Sequence, residues 1–454
     1  MHLQNKIKRR LLVSGITIAL LGTGPFVPGQ MVAAYGWESV LAAKVIPVPS
    51  LPSIDLNPLK MAGKLLGLVS DSQKGVKEGK KVDSNYKFKA TKVVNGGQTI
   101  KKSLANSDKD ENVVLVQKKG KANLKGATLT KSGAASSLEK SLGRGQNAAL
   151  LVAPYSKAEV KNTLIKTNGT GASGLVASGK ESQVKGQDVT INTVGTYSRG
   201  INVAYKGRVT IDGGQINTSG NYSPALAIDR EEGQLQIRHM NLQTSGVASP
   251  LVYSTDEVEL EQVKGQSNTQ LAMIEGASEV KIINSQIVGN GGFVLYDSEL
   301  GLAKSGTSKL MIQGGRIDVK GAEPLIEVQN TKGQVQLKDT IISMPHSELL
   351  ATVGQGQWAG KGSSELELKA ENENLAGTIV AEPKSKVQVA LKASTLTGAL
   401  NPTKEAKKME LSLDNKSTWN VTGDSYITKL DNEDSTNSNI HTNGYKVVIG
   451  TQTL

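Results

Sequence analysis

The feature that most constrains this chain is a repeat of about 25 residues, because a chain built from such repeats has no single core that stops growing. The segments ASGLVA, SRGINVA, SPALAI and ASPLVY superpose Leu175, Ile201, Leu226 and Leu251 at successive steps of 26, 25 and 25 residues. Ile274, Leu295, Ile326 and Leu350 continue the series at steps of 23, 21, 31 and 24, as when strands are kept and loops of different length leave one face. A second run lies a few residues after several of these: RVTIDGGQINTSG from Arg208, QLQIRHMNLQTSG from Gln234, EVKIINSQIVGNG from Glu279 and KLMIQGGRIDVKG from Lys309. In each, an alternating apolar pair (Val209 and Ile211, Leu235 and Ile237, Val280 and Ile282, Leu310 and Ile312) precedes a polar bend and a further strand closed by Gly.

Each repeat therefore offers about three short strands, which cannot bury their apolar faces alone; stacking at roughly 4.8 Å per layer satisfies the backbone and the core together. The prediction is an all-β fold, a right-handed parallel β-helix solenoid over residues 86–430, with room for about 14 coils and a rod roughly 65 Å long. Propeller blades near 40 residues fit these steps poorly, and the Leu and Asn consensus of leucine-rich repeats is missing. Composition agrees: 49 Gly and 4% aromatics call for an interior of small and aliphatic side chains between many turns. With no Cys, disulfides, thiolate metal sites, thiol catalysis and a lipidated cysteine anchor are excluded.

Residues 1–42 have the form of an export signal. Lys6, Lys8, Arg9 and Arg10 precede the apolar stretch Leu11 to Leu21, and small residues recur before Ala34 and Ala43. Gly22, Gly24, Pro25 and Pro28 interrupt that stretch too early for a membrane span, so a secreted or cell-surface location is expected. Residues 43–85 form a linker with Pro47, Pro49, Pro52 and Pro58, a short amphipathic helix from Leu59 to Val69 suited to covering the open end of a solenoid, and then Lys74, Lys77, Lys80 and Lys81. Residues 431–454 are expected to form a C-terminal β cap. Trp419, Val421, Ile427 and Leu430 would cover the last coil, and Asn443-Gly444 a turn before a strand from Tyr445 to Ile449.

The net charge of +12 is unevenly placed: residues 1–125 hold 21 Lys or Arg against 8 Asp or Glu, and the remainder 32 against 33. A nucleic-acid protein would carry its basic residues on its main folded face, so an anionic cell-wall polymer or cell-surface glycan is the expected partner, with no nucleic acid and no integral membrane span after signal removal.

The repeats resemble those of right-handed β-helix proteins, the pectate-lyase-like group that includes autotransporter passengers and filamentous adhesins, over roughly residues 86–430. The tail from Leu411, LSLDNKSTWNVTGDSYITKLDNEDSTNSNIHTNGYKVVI, resembles the closing segment of extracellular bacterial β-helix proteins. Neither a membrane barrel nor an LPxTG-type sorting motif follows it, so release or noncovalent retention is expected. If the resemblance extended to chemistry it would imply a polysaccharide lyase or glycoside hydrolase acting on an acidic polysaccharide. The galacturonan-hydrolase pattern fails here: Asn192-Thr193 is followed by Val194, no Asp-Asp pair occurs, and His239 is flanked by Arg238 and Met240.

A calcium-dependent lyase needs clustered acids and a basic proton acceptor. The candidates are Asp229, Arg230, Glu231 and Glu232 with Asp212, Asp256, Glu257 and Arg238, and the catalytic set, were there one, is Asp212, Asp229, Arg230 and Arg238. All sit at or beside expected turns, where charged residues ordinarily face water. His2, His239, His346 and His441 are too widely spaced for a metal site, and no cofactor is expected. Gly213-Gly214, Gly291-Gly292 and Gly314-Gly315 follow strands without opening a helix and read as turns. Trp358, in the loop GQGQWAGKG, either packs or stacks on a sugar as a ligand-binding residue. The function expected is a noncatalytic, adhesin-like or surface-associated β-helix protein that presents loops, chiefly within residues 250–380, for glycan or cell-surface binding; the alternatives are the polysaccharide enzyme and a structural surface-layer component.

Overall fold

In KAEVK, KVQVALK and KMELSL every second side chain is apolar, and these strands bury that half and turn the other half to solvent. The same alternation recurs in layer after layer, and the layers pair in parallel. The result, seen in a computed structural model that describes residues 87–230, 232–298, 302–355 and 363–454, is an all-β parallel β-solenoid of about 14 turns. Among the described residues there is no helix of 7 residues or more. The export signal, the linker with its helix, Glu231 and Trp358 lie outside the described residues.

Three stacks of strands form the walls. Sheet I runs from Gly97–Ile100 through Lys121–Lys125, Lys157–Lys161 and their successors to Lys429–Asn432. One inward column passes without a break from Ala122 through Ala158, Val184, Val209, Leu235, Val258, Val280, Leu310, Val335, Leu368, Val389 and Leu411 to Leu430. The four apolar pairs read from the sequence all lie in sheet I, and Val258 and Leu260 supply a further layer between the second and third of them.

Sheet III follows around a corner that costs one residue. Strands such as Gln183–Thr193 and Arg208–Thr218 pass from sheet I into sheet III in a single run. The bend carries a left-handed residue in layer after layer: Asn162, Asp188, Gly213, His239, Gln262, Asn284, Gly314, Asp339, Asn372 and Ala393 all have φ between 47° and 81°, and Gly214 and Gly315 add a second in their layers. Asn, Asp and Gly predominate because they adopt that conformation at least cost. Gly213-Gly214 and Gly314-Gly315 are such turns, whereas Gly291-Gly292 lies inside the strand Gln286–Tyr296, where a Cβ on Gly292 would stand 2.1 Å from the carbonyl oxygen of Leu325.

Sheet II comprises Asn112–Val116, Leu150–Val152, Leu175–Ser178, Ile201–Ala204, Leu226–Ile228, Val252–Ser254 and their successors, and these six strands are buried on both faces. Leu175 pairs with Ile201, and Ile201 with Leu226, as the repeat alignment expects. Leu226 then pairs with Val252 rather than Leu251, Ile326 with Phe293 rather than Leu295, and Ala351 rather than Leu350 continues the column. A strand buried on both faces loses the alternation that fixes register, so the apolar signal is satisfied equally one or two residues away.

Over the N-terminal part of sheet II lies the single helical turn Glu139–Gly143 and the chain after it, where a Cβ on Gly145 would meet Leu151 and Val176. Leu115, Ala148, Leu151, Ala153 and Val176 form a small second core there. Between sheets III and II a serine ladder binds successive turns. The hydroxyls of Ser198, Ser223 and Ser249 donate to the carbonyls of Gly169, Gly195 and Gly220 at 2.7, 3.1 and 2.9 Å, and the amides of Ser198 and Ser223 donate to the next hydroxyl at 2.9 and 3.0 Å. At the C-terminal end Trp419 is fully buried between Leu396 and Ile440, and its Nε1 donates to the carbonyl of Gly398 at 3.0 Å. Asn443-Gly444 makes the expected turn; the strand after it is Val447–Ile449, which pairs with Ser425–Ile427 and with Gln452–Thr453.

Candidate binding surface

The four residues singled out for catalysis fall into two pairs on different sheets. Asp212 and Arg238 are register partners on the outward side of sheet I. Asp212 Oδ1 lies 2.6 Å from Nδ1 of His239, while Arg238 contacts Glu261 at 2.9 Å and Glu259 at 3.5 Å. The hydrogen bonds from Asp212 and Gln262 hold the exposed His239 imidazole above its ordinary range. Asp229 and Arg230 instead follow the sheet II strand Leu226–Ile228. Of the other acids, Glu232 pairs with Lys206 at 2.8 Å and Glu257 accepts from Gln234 at 3.1 Å. Burial, and then the charges of Glu257 and Glu232, push Asp256 up to about 6.

The expectation that Asp229 and Arg230 face water is overturned. Asp229 is fully buried, and its carboxylate accepts from Arg199 at 2.8 Å and from Arg230. Arg199 is buried too, with Nη1 also donating to Asn202 at 2.8 Å and its guanidinium 5.7 Å from the centre of the Tyr253 ring. Asn202 donates in turn to the carbonyl of Leu142 at 2.5 Å, on the helical turn that covers this face. One layer further, Glu275 accepts from the hydroxyls of Tyr253 and Tyr296 at 2.7 and 3.1 Å and from that of Ser298. Burial pushes the Glu275 carboxyl up, and it carries the phenols of Tyr253 and Tyr296 well above their usual range.

This network ties together successive turns from Arg199 to Ser298, and its hydrogen bonds are directed at other protein groups. A charged pair enclosed this completely is held by mutual compensation, which a turn assignment from sequence does not anticipate. The signal was present in one place: Arg199 occupies the repeat position held by Ser173 and Pro224 in the adjoining turns.

The outward side of sheet I is a regular surface that continues from Gly97–Ile100 to Lys429–Asn432. Its C-terminal layers are self-neutralised: Lys338 and Lys392 share Glu371 at 3.0 and 3.5 Å, Lys386 meets Glu365 at 3.2 Å, Lys408 meets Glu410 at 2.9 Å, and Lys332 pairs with Glu367. A shallow depression of about 360 Å³ lies there, lined by Glu367, Lys369, Gln388, Glu410, Lys429 and Asp431 among others. The N-terminal layers differ. Lys121 stands beside Lys157 and Lys125 beside Lys161 in register, Lys185 follows on the next strand, and all five are exposed.

Among the described residues there is no group of three His, Cys, Asp or Glu side chains that could hold a metal ion, and no helix long and apolar enough to cross a membrane. No family model, no curated protein and no solved structure matches this chain.

Proposed function

We propose that the chain is a secreted, surface-associated β-helix protein, adhesin-like and noncatalytic, that binds extended cell-surface or cell-wall glycans along the side of its rod. The observation that carries this reading is the outward side of sheet I, where polar side chains repeat in register on strand after strand from Lys121 to Lys429. A surface of parallel columns, each with one side chain per layer about 4.8 Å apart, suits a linear polymer better than a compact ligand. The enclosure of Asp229 and Arg230, away from Asp212 and Arg238, supports binding over bond cleavage.

The test exposes purified protein to insoluble cell-wall material and to a panel of acidic and neutral polysaccharides, and follows both retention and the appearance of reducing or unsaturated sugars. Retention without product is expected. Sustained product release would replace this reading with the polysaccharide lyase or hydrolase, and ordered self-assembly without any retention would replace it with a surface-layer component.

A further inference from the structure

The lysines of sheet I are paired unevenly along the rod. In the C-terminal layers Lys332, Lys338, Lys386, Lys392 and Lys408 each lie within 4.0 Å of a glutamate carboxylate, while Lys309, Lys369 and Lys429 stand singly among them. In the N-terminal layers Lys121, Lys125, Lys157, Lys161 and Lys185 have no such ion pair among the described residues, and four of them face another lysine directly across one strand spacing. Like charges so placed repel, and Glu159 is the one acid on the strands Lys121–Lys125 and Lys157–Lys161, against four lysines, where the later layers carry glutamates in greater proportion. Edge protection, a frequent reason for lysine on a strand, does not account for them either. The strands Lys121–Lys125 and Lys157–Lys161 are flanked on one side by Gly97–Ile100 and on the other by Gln183–Thr193, so both are interior.

The layout is specific. Two lysine columns run along the rod, four residues and so about 13 Å apart, with about 4.8 Å between layers. Between them lies a narrower column of Asn123, Glu159 and Lys185. Lys118 and Lys119 extend the cationic surface at the turn that leads into the first of these strands.

We infer that this grid is the recognition site for a linear polyanionic polysaccharide, lying along the rod axis across the strands from Lys121 to Lys185. The inference rests on the glycan-binding reading above and adds to it the class of ligand and the place. A polymer carrying sulfate, phosphate or carboxylate groups at sugar-length intervals meets a lysine on each flank at successive layers and relieves the repulsion between them. Glu159 in the central column disfavours anions crowded along the midline, where Asn123 is half-buried with its Oδ1 enclosed.

The test measures binding of the full chain to heparin, polygalacturonate and neutral dextran by biolayer interferometry between 50 and 300 mM NaCl. The variants are Lys121→Gln with Lys157→Gln, Lys125→Gln with Lys161→Gln, all four together, and Lys338→Gln with Lys392→Gln as the paired-lysine control. Circular dichroism and thermal unfolding confirm that each folds, which is expected because two of the changes remove repelling pairs. Heparin or polygalacturonate should bind with affinity that falls as salt rises; each grid pair should cost about tenfold, the quadruple variant should abolish binding, and the control should keep it. Unchanged binding by the quadruple variant overturns the grid while leaving the glycan reading intact; no binding of any polysaccharide overturns both. Duplex DNA competing as well as the polysaccharides at equal charge overturns the assignment to a glycan.

Discussion

Replacing Asp229 tests whether the enclosed network holds the middle of the solenoid together. The carboxylate has no exposure and, among the described residues, is the one anion that pairs with both Arg199, at 2.8 Å, and Arg230. Of the Arg199 guanidinium, Nη1 makes the hydrogen bonds, since Nε and Nη2 have no hydrogen-bond partner among the described residues. Asp229→Ala therefore leaves a buried cation with Asn202 as its one hydrogen-bond acceptor among the described residues and the Tyr253 ring beside it. Removal of one member of a buried pair costs about 3–5 kcal/mol, because the surviving charge stays desolvated. The double variant Asp229→Ala with Arg199→Met removes both charges and restores apolar volume beside Tyr253, so most of the loss should be recovered.

Unfolding of a stacked repeat need not be all-or-none, which makes a single midpoint an incomplete readout. Hydrogen exchange of the strands Ile201–Ala204, Leu226–Ile228 and Val252–Ser254, followed alongside urea denaturation, reports the local cost directly. Asp229→Ala should speed exchange in those strands by two orders of magnitude or more, roughly the equivalent of 3 kcal/mol, while Lys386–Lys392 is unaffected. If Asp229→Ala costs under about 1 kcal/mol, or if the two substitutions are additive, the network is not held by charge compensation and the reasoning fails.

Gly220→Ala would place a Cβ 1.9 Å from the carbonyl oxygen of Gly195, a backbone atom with nowhere to move, and should destabilise by about 1–3 kcal/mol in urea unfolding; Gly97→Ala, with nothing within 4 Å, should be neutral. Trp419→Ala should cost about 3–5 kcal/mol and strip exchange protection from Thr395–Thr397 and Ile440–His441 first; unchanged protection there would show that Trp419 does not close the end. Burial pushes the Glu373 carboxyl up to about 7, so the cost of ionising it is absent below the unfolded value near 4.5 and grows as pH rises towards 7. Glu373→Gln should accordingly flatten the fall in stability between pH 4.5 and 7, read as the difference in urea midpoint between the two proteins; parallel pH profiles would refute it.

What the sequence made legible follows from where one face of a strand meets water. In sheet I, Val209 and Ile211 alternate with exposed Arg208, Thr210 and Asp212, and a period of two survives to be read. In sheet II, Leu226, Ala227 and Ile228 are all buried, the period is erased, and Leu251 was aligned where Val252 belongs. The corners between sheets I and III were readable as polar bends because Asp188, Asn284 and Asp339 tolerate a left-handed backbone. That rule fails at Asp229, which also follows a strand but meets two arginines; nothing local distinguishes it from a solvated turn residue. Of the lysine grid only Lys121 and Lys125 fall within the basic first 125 residues; Lys157, Lys161 and Lys185 lie in the nearly neutral remainder, and the grid depends on register, with Lys121 and Lys157 36 positions apart.

The parallel pairing of every layer with the next has a mechanical side. Its interstrand hydrogen bonds point along the rod, so a pull between the two ends loads them a layer at a time, as a zipper is loaded, and not all at once. Each turn that peels away releases about 25 residues, which extend to about 85 Å in place of the 4.8 Å they spanned when stacked. Fixed at one end and held by a polymer at the other, such a rod yields under load by lengthening stepwise, and the buried network around Arg199 and Asp229 marks where that unravelling should pause.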